Sequence, residues 1–540
     1  MAIDDLDALL AAATQPSNSA SGTRILGLLR SNDPPDDAER ATIHRAASAL
    51  DDRLSLLRNE VARLESQLKA LHTELHTLSA RREELDTLVS PLRRLPNELL
   101  IEIFTHTLPS TSAVMEYGLY REFKLDMSPW CLMRVSSRWR RVAITTRTLW
   151  SRVVVIFSQR LNVVSYPARL LEVHLDRAAE LTISFYGDET SPIEPQRAAM
   201  ELLMQHAHKW VYCSIILTPG LFAVLNTLPG ARLTGLRRAY LSWDETEGTL
   251  VDGQDAPVTF LDGAPCLDQV CVTVRDHYVP VSLPAANLTW YSIDAPWSVH
   301  RGLLKTAANL ETVHVHVDVV EHHPDWAAHI DEPIRLDRLR RLYASHPEVL
   351  DYLIAPSLAE CSLRVEDDDA IFMQSLARLV RRSGCTLRTL CVSGSLTRAI
   401  IPPILAEDAL LSLDTLRFIF TPDLVTRPDI SGIIDELTTP LPGTESIRHL
   451  AFSVGNLHAL DCTSFVEMVY SRLHCDGYAL RELSLLILDI NPDSESEKSQ
   501  DDSDLAALEK LENNAELDCL LLLGEAWIPD VINDWLFTFN

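Results

Sequence analysis

The chain has 540 residues, enough for more than one folded unit, and 46% hydrophobic against 23% charged residues is the balance of a globular protein. Its 48 Lys and Arg against 76 Asp and Glu give a formal charge of −28, which repels phosphate backbones and anionic lipid over most of the surface. Nucleic acid and membrane are therefore disfavoured as main partners.

The ten cysteines never form a Cys-x-x-Cys pair, so neither a zinc knuckle nor a disulfide framework is indicated. Scattered among apolar residues, they read as buried thiols in a reducing compartment. The start Met-Ala-Ile-Asp-Asp-Leu-Asp lacks the basic and apolar stretches of a signal peptide, and no window approaches the ~18 apolar residues of a membrane span. The expected compartment is the cytoplasm, the nucleus or both.

Residues 1–49 are rich in Ala, Ser, Asp and Pro around a single apolar cluster, Ile25 to Leu29, and read as a disordered leader. A coiled-coil helix is expected over 50–90. Leu50, Leu54, Leu57, Val61, Leu64, Leu68, Leu71, Leu75 and Leu78 recur at alternating spacings of four and three, continuing through Arg82, Leu85 and Val89. With Leu54 at position a, an in-register parallel homodimer faces Arg53 with Arg58 and Glu60 with Glu65, and gains only Arg81 with Asp86. A symmetric parallel dimer is disfavoured. The stripe serves either an unknown coiled-coil partner or packing within the same chain.

Residues 91–108 read Pro-Leu-Arg-Arg-Leu-Pro-Asn-Glu-Leu-Leu-Ile-Glu-Ile-Phe-Thr-His-Thr-Leu. Pro96 suits a first helical position and Glu98 the first turn. The helix so begun carries Leu99 with Ile103, and Leu100 with Phe104 and Leu108, more apolar surface than one small core needs. Ser128-Pro129 announces a second helix with Leu132, Val135, Trp139 and Val142 on one stripe, and Arg134, Arg138, Arg140 and Arg141 mostly on the other side. Leu149-Trp150 closes the segment.

Beyond residue 150 a template of short strands repeats. Leu267-x-x-Val270-x-Val272-x-Val274, Leu310-x-x-Val313-x-Val315-x-Val317, Leu358-x-x-Cys361-x-Leu363-x-Val365 and Leu387-x-x-Leu390-x-Val392 are clear copies. So are Leu416-x-x-Ile419, Ile447-x-x-Leu450-x-Phe452-x-Val454 and Leu480-x-x-Leu483-x-Leu485-x-Ile487, with weaker ones from Leu236 and Leu288. Their intervals, mostly about 20 to 33 residues, fit an irregular leucine-rich-repeat horseshoe over 151–540. Broken loops are expected near 244–263, 321–335 and 491–504, the last an acidic, disordered segment. The fold class is thus mixed α/β: a long N-terminal helix, a small all-α module, and a C-terminal solenoid of short parallel strands and helices.

Leu95-Pro96-x-Glu98-Leu99-Leu100-x-x-Ile103-Phe104, then Val135-Ser136-x-x-Trp139-Arg140, then Leu149-Trp150, resembles an F-box, with the stretch 109–127 as an inserted loop. The whole chain is similar to fungal F-box-like proteins with a coiled coil before the box and repeats after it. Leu181-Thr-Ile-Ser-Phe matches their first strand after the box. The resemblance implies that Leu95, Pro96, Leu99, Ile103, Phe104, Val135, Trp139, Leu149 and Trp150 serve contact with a Skp-type adaptor or the box core. It further implies a substrate receptor of an SCF-type cullin–RING ubiquitin ligase, holding a protein target on its repeats. The alternative is an interaction scaffold that works without a ligase.

No Gly-x-Ser-x-Gly, phosphate loop or His-Glu-x-x-His occurs, so neither catalysis nor a cofactor is expected. His314 and His316 with Glu321, His322 and His323 make a loose set of ligands, and solvent-facing histidines are expected there rather than a metal. The arginines from 134 to 152 read as a solvated helix face rather than a nucleic-acid patch, since no aromatic stacking surface accompanies them.

Overall fold

A computed structural model of the chain describes residues 33–108, 127–157, 168–243, 257–273, 279–317, 333–365, 369–401, 410–421, 427–438, 446–474, 480–489, 498–512, 516–525 and 528–536, with positions 28, 31 and 514. It divides into two compact units, Met1–Pro96 and Asn97–Asn540. The fold is mixed α/β, with a long N-terminal helix and a many-stranded parallel sheet.

The first unit is built on helix α1 (Asp37–Val89), 53 residues long. Its start is fixed by a reciprocal cap: the Glu39 amide donates to the Asp36 carboxylate at 2.7 Å and the Asp36 amide to Glu39 Oε2 at 2.9 Å. The helix therefore begins well before residue 50, and the later part of the expected leader is helical rather than disordered. No Gly or Pro interrupts 38–90, and Pro91, which has no N–H, follows directly after the C-cap Ser90. Exposure of the seam side chains runs from 42% at Leu57 to 70% at Val89. Most of the expected leader, residues 1–27 with Ile25, lies outside the described residues.

The second unit opens with helices α2 (Asn97–His106), α3 (Leu132–Val135) and α4 (Ser137–Thr145), closed by a 3-10 turn at Arg147–Trp150. The expected single helix after Ser128-Pro129 is thus two. Ser136 is extended, and its hydroxyl accepts from the Trp139 amide at 3.1 Å, capping α4 while ending α3. Ser128 and Pro129 lie in the turn before α3, and Pro96 precedes α2 rather than opening it. Of the expected insert 109–127, only Met127 is described.

The sheet follows in chain order: β1 (Arg152–Ile156), β2 (Leu181–Tyr186), β3 (Trp210–Leu217), β4 (Arg238–Trp243), β5 (Gln269–Thr273), β6 (Trp290–Asp294) and β7 (Thr312–His316). A separate pair, β8 (Ile334–Arg335) with β10 (Leu353–Ile354), flanks β9 (Arg341–Ala344), and the main sheet continues through β11 (Glu360–Val365), β12 (Thr389–Gly394), β13 (Thr415–Phe420), β14 (His449–Asn456), β15 (Glu482–Asp489) and β16 (Asp518–Leu523). Among the described residues fourteen strands, all parallel, are hydrogen-bonded in sequence order from β1 to β16. Register aligns equivalent template positions: Val392 with Phe418, Phe418 with Phe452, Phe452 with Leu485. Each such side chain is buried between its neighbours one strand away.

Helices α5 (Ala168–Arg177), α6 (Ile193–Gln205), α7 (Pro219–Leu225), α8 (Trp297–Thr306), α9 (Asp369–Ser383), α10 (Arg427–Thr438), α11 (Cys462–His474) and α12 (Lys498–Glu512) are interspersed between strands. The ring of Phe465 on α11 meets Phe452 of β14 edge-on at 5.3 Å, which places this helix against the template face. Basic side chains tie one connection to the preceding one. Lys209 Nζ donates to the Leu175 carbonyl at 2.8 Å, Arg382 to those of Leu350 and Leu353 at 2.7 Å each, and buried Arg472 Nε to that of Leu437 at 2.7 Å. They satisfy carbonyls that helix and turn ends leave open.

Four strands of the main sheet, β1, β3, β9 and β16, escaped both the template and the resemblance. In β3 the pairing shifts between Leu181/Trp210 and Thr182/Tyr212, so one extra residue breaks the period of two. In β9 the last inward position is the small Ala344, and β1 follows directly on the 3-10 turn at Arg147–Trp150. Leu181-Thr-Ile-Ser-Phe, expected as the first strand, is consequently the second strand of the sheet. At the close of β12, Gly394 has φ +116° and a Cβ there would lie 2.1 Å from the Val365 carbonyl oxygen, so only glycine fits.

The expected loops are shorter than proposed or lie outside the described residues. Residues 244–256, 321–332 and 491–497 are not described, whereas Val258 bridges to Val281 and β8 falls inside 321–335. The acidic stretch from 498 opens α12 instead of continuing as disorder, because Leu508 and Leu511, three apart, bury one face of the helix.

A last helix, α13 (Ile528–Trp535), sits on the opposite face of the sheet. Its Ile528 and Trp535 pack with Cys391, Ala451, Leu486 and Leu522, which alternate along β12, β14, β15 and β16 with the template residues.

Candidate functional site

The helical segment 97–150 separates into a core and a rim. Leu100 and Phe104 of α2 are buried, and the Phe104 ring lies 4.8 Å from that of half-buried Trp139 on α4. Leu149 and Trp150 are buried as well, and Trp150 Nε1 donates to the Ala143 carbonyl at 2.8 Å. Trp130 meets Trp150 edge-on at 5.1 Å, and the Arg177 guanidinium of α5 stands 4.4 Å from the Trp150 ring. His174, one turn earlier, is buried against Trp150, and its Nε2 donates to the Arg152 carbonyl at 3.0 Å. Burial lowers its pKa to about 4, so the ring is neutral at pH 7. The module is thereby anchored to the first turns of the sheet unit.

Leu99, Ile103 and Val135, in contrast, are 51%, 41% and 60% exposed. Leu99 and Ile103 lie four apart and share one face of α2, turned away from the face that carries Leu100 and Phe104. Arg138 donates to Asn97 Oδ1 at 2.9 Å, tying α4 to the start of α2, and Arg140 Nε donates to the Met133 carbonyl at 2.9 Å. Two of the arginines expected on a solvated helix face thus brace these helices. Pro96 is exposed and Leu95 half-buried at the end of the first unit.

The expected adaptor residues therefore differ in what they can touch. Leu99, Ile103, Val135 and Pro96 present apolar surface to solvent. Phe104, Leu149 and Trp150 are enclosed, where another protein cannot reach them. Trp130, His174 and Arg177 complete this core and were not singled out from the sequence. The i, i+3 spacing of His174 and Arg177 on an amphipathic helix is the signal that could have found them.

The sheet face opposite the template carries a second, polar surface. On β3 and β4 it presents Tyr212, Arg238 and Tyr240, with the Arg238 guanidinium 5.2 Å from the Tyr212 ring. Thr273 on β5 donates to the Tyr240 hydroxyl at 3.1 Å, and Trp290 opens β6 beside Gln269. On β7 the expectation of solvent-facing histidines fails at His314, which is buried and stacked 3.8 Å from the Tyr343 ring of β9. Desolvation, then the neighbouring His316, hold its pKa well below the ordinary histidine value.

Among the described residues no three His, Cys, Asp or Glu side chains are grouped to hold a metal ion, and Glu321, His322 and His323 lie outside those residues. Burial pushes the thiol of Cys213 up to about 12 and that of Cys361 higher still, which leaves neither as a thiolate nucleophile. No described helix is long and apolar enough to cross a membrane. The chain matches no family model, and no curated protein is significantly similar to it.

Proposed function

We propose that residues 91–150 are an F-box and that the chain is the substrate-recognition subunit of an SCF-type cullin–RING ubiquitin ligase. The observation that carries this reading is the division within the box. Phe104, Trp139, Leu149 and Trp150 already make a core, yet Leu99, Ile103 and Val135 remain exposed on helices too short to need them. Burying such side chains is worth about 1.5–3 kcal/mol each, and a Skp-type adaptor is the partner that would cover them.

The parallel strands, in this reading, coil as an irregular leucine-rich-repeat solenoid, and the target docks on the face opposite the template. Helix α13 packs on that face over β12–β16 and Leu536 at its end reaches His314 of β7, so the target site falls on β2–β6, where Tyr212, Arg238, Tyr240 and Trp290 supply the residue types that dominate interface energetics. Chemistry stays with partner subunits. The receptor acts by raising the effective concentration of target near the transferred ubiquitin.

Co-expression with the adaptor tests the assignment. The wild-type chain is expected to form a stoichiometric complex and to bring down a cullin. Leu99→Asp with Ile103→Asp is expected to lose the adaptor while keeping its thermal midpoint, since both side chains are exposed. Retention of the adaptor by that variant sinks the box reading. The non-ligase scaffold reading draws on the exposed stripe of α1, and it predicts no cullin in the same capture.

A further inference from the structure

We propose that α1 pairs with α1 of a second copy of this chain as an antiparallel coiled coil, in the register that sets Leu50 opposite Val89. The seam of α1 is exposed from Leu50 to Val89, over the length of an otherwise regular helix. A stripe with this spacing is closed by a second helix bearing the same spacing, through knobs-into-holes packing.

Charge decides the direction. A parallel pair stacks Arg82 on Arg82 within the seam and faces Arg53 with Arg58 and Glu60 with Glu65 along its flanks. Reversing one helix pairs a positions with d positions and places g beside g and e beside e. Leu68 then meets Leu71 at the centre, and each Arg82 meets Leu57 near opposite ends. There its aliphatic stem packs on leucine and its guanidinium reaches water.

The flanks improve as well. Glu60 of each copy, bonded to Arg63 of its own helix at 2.6 Å, faces Arg81 of the other; these two pairs stand in for the two Arg81–Asp86 pairs of the parallel arrangement, while its Glu60–Glu65 and Arg53–Arg58 repulsions are removed. The residual cost is Asp51 beside Asp86 at the ends, where Arg82 lies 3.7 Å from the Asp86 carboxylate and offsets its charge. Registers slid by a heptad shorten the overlap. One of them also sets Arg53 against Arg81 and Glu60 against Glu74. The full-overlap antiparallel register combines the longest apolar seam with the removal of the Arg82 clash. Because α1 spans about 80 Å at 1.5 Å per residue, the two chains leave the pair at opposite ends.

Sedimentation equilibrium on the full chain tests the pairing. A dimer is expected, with Glu60→Arg weakening its dissociation constant about tenfold, since two attractive pairs become repulsive. Adding Arg81→Glu to that variant is expected to restore it. In a parallel dimer Glu60→Arg instead relieves a repulsion and tightens association, so tightening overturns the proposal, as does a chain that stays monomeric. Orientation is read separately by mixing differently tagged Leu54→Cys and Leu85→Cys chains under mild oxidation, with the wild-type chain as control. A mixed disulfide supports the antiparallel register, and a Leu54→Cys self-disulfide overturns it.

Discussion

Leucine dominates two regions of this chain, and the two dispose of it in opposite ways. Along α1 the seam leucines are exposed, whereas Leu363, Leu390, Leu416, Leu450 and Leu483 on consecutive strands of the sheet are fully buried. The difference lies in what each pattern brings next to itself. A strand leucine finds its equivalent on the neighbouring strand about 4.8 Å away, because sequential parallel pairing keeps the register. A single straight helix supplies no such neighbour. An apolar stripe at spacings of three and four is therefore a statement about a partner, while the strand template is a statement about the same chain.

The sharpest way to break this comparison is to remove one large side chain from each region. Phe452 lies 5.4 Å from Phe418 and 5.3 Å from Phe465, ring centre to ring centre, and is wholly enclosed. Phe452→Ala is expected to cost about 3–5 kcal/mol in denaturant unfolding of the sheet unit. Leu68→Ala on α1 is expected to leave that transition in place. Equal losses from the two substitutions would mean that the seam supports the sheet fold and that the contrast is false.

Acid separates the regions next. His174 and His300 are buried, with pKa values lowered from 6.5 to about 4, chiefly by desolvation. His300 is held neutral between its neighbours, accepting at Nδ1 from the Tyr291 hydroxyl and donating from Nε2 to the His316 carbonyl at 2.7 Å. Because the folded values lie below the unfolded ones, the unfolded chain binds more protons, and stability is present above about pH 6.5 and lost as pH falls toward 4. Each histidine is expected to withdraw about 2 kcal/mol between about pH 7 and 5. Thermal melts of the sheet unit across that window check the sign, and a flat profile would refute it.

How much of this was legible in the sequence follows the same contrast. The helices of 97–150 could be placed because Leu-Pro-x-Glu-Leu-Leu, Val-Ser-x-x-Trp-Arg and Leu-Trp are local words, and α1 because the period of its seam is unbroken. The partition of this segment into buried and exposed side chains was not legible. Leu99 and Leu100 are adjacent and chemically identical, and only the packing of α4 against α2 decides that one is enclosed and the other exposed. Burial of His314 was equally hidden, since it depends on Tyr343, on a strand the template missed. Helix α13 covers residues on β12, β14, β15 and β16, and its target face is set by the return of the chain, which no local pattern encodes.

The smallest expected effect sharpens the comparison at its other end, the start of α1. In the sheet unit, helices are held by burial, and loss of a single cap is buffered by the core behind it. The first turn of α1 is bonded through the exchange between Asp36 and Glu39. Asp36→Ala is accordingly expected to cost about 1 kcal/mol, confined to the helix start, and to speed amide exchange over Arg40 to His44 by about fivefold. Amides of β14 should be unaffected. If exchange slowed only toward residue 50 in both chains, the apolar seam rather than the capping box would set where the helix begins. The leucines would then govern the helix as they govern the sheet.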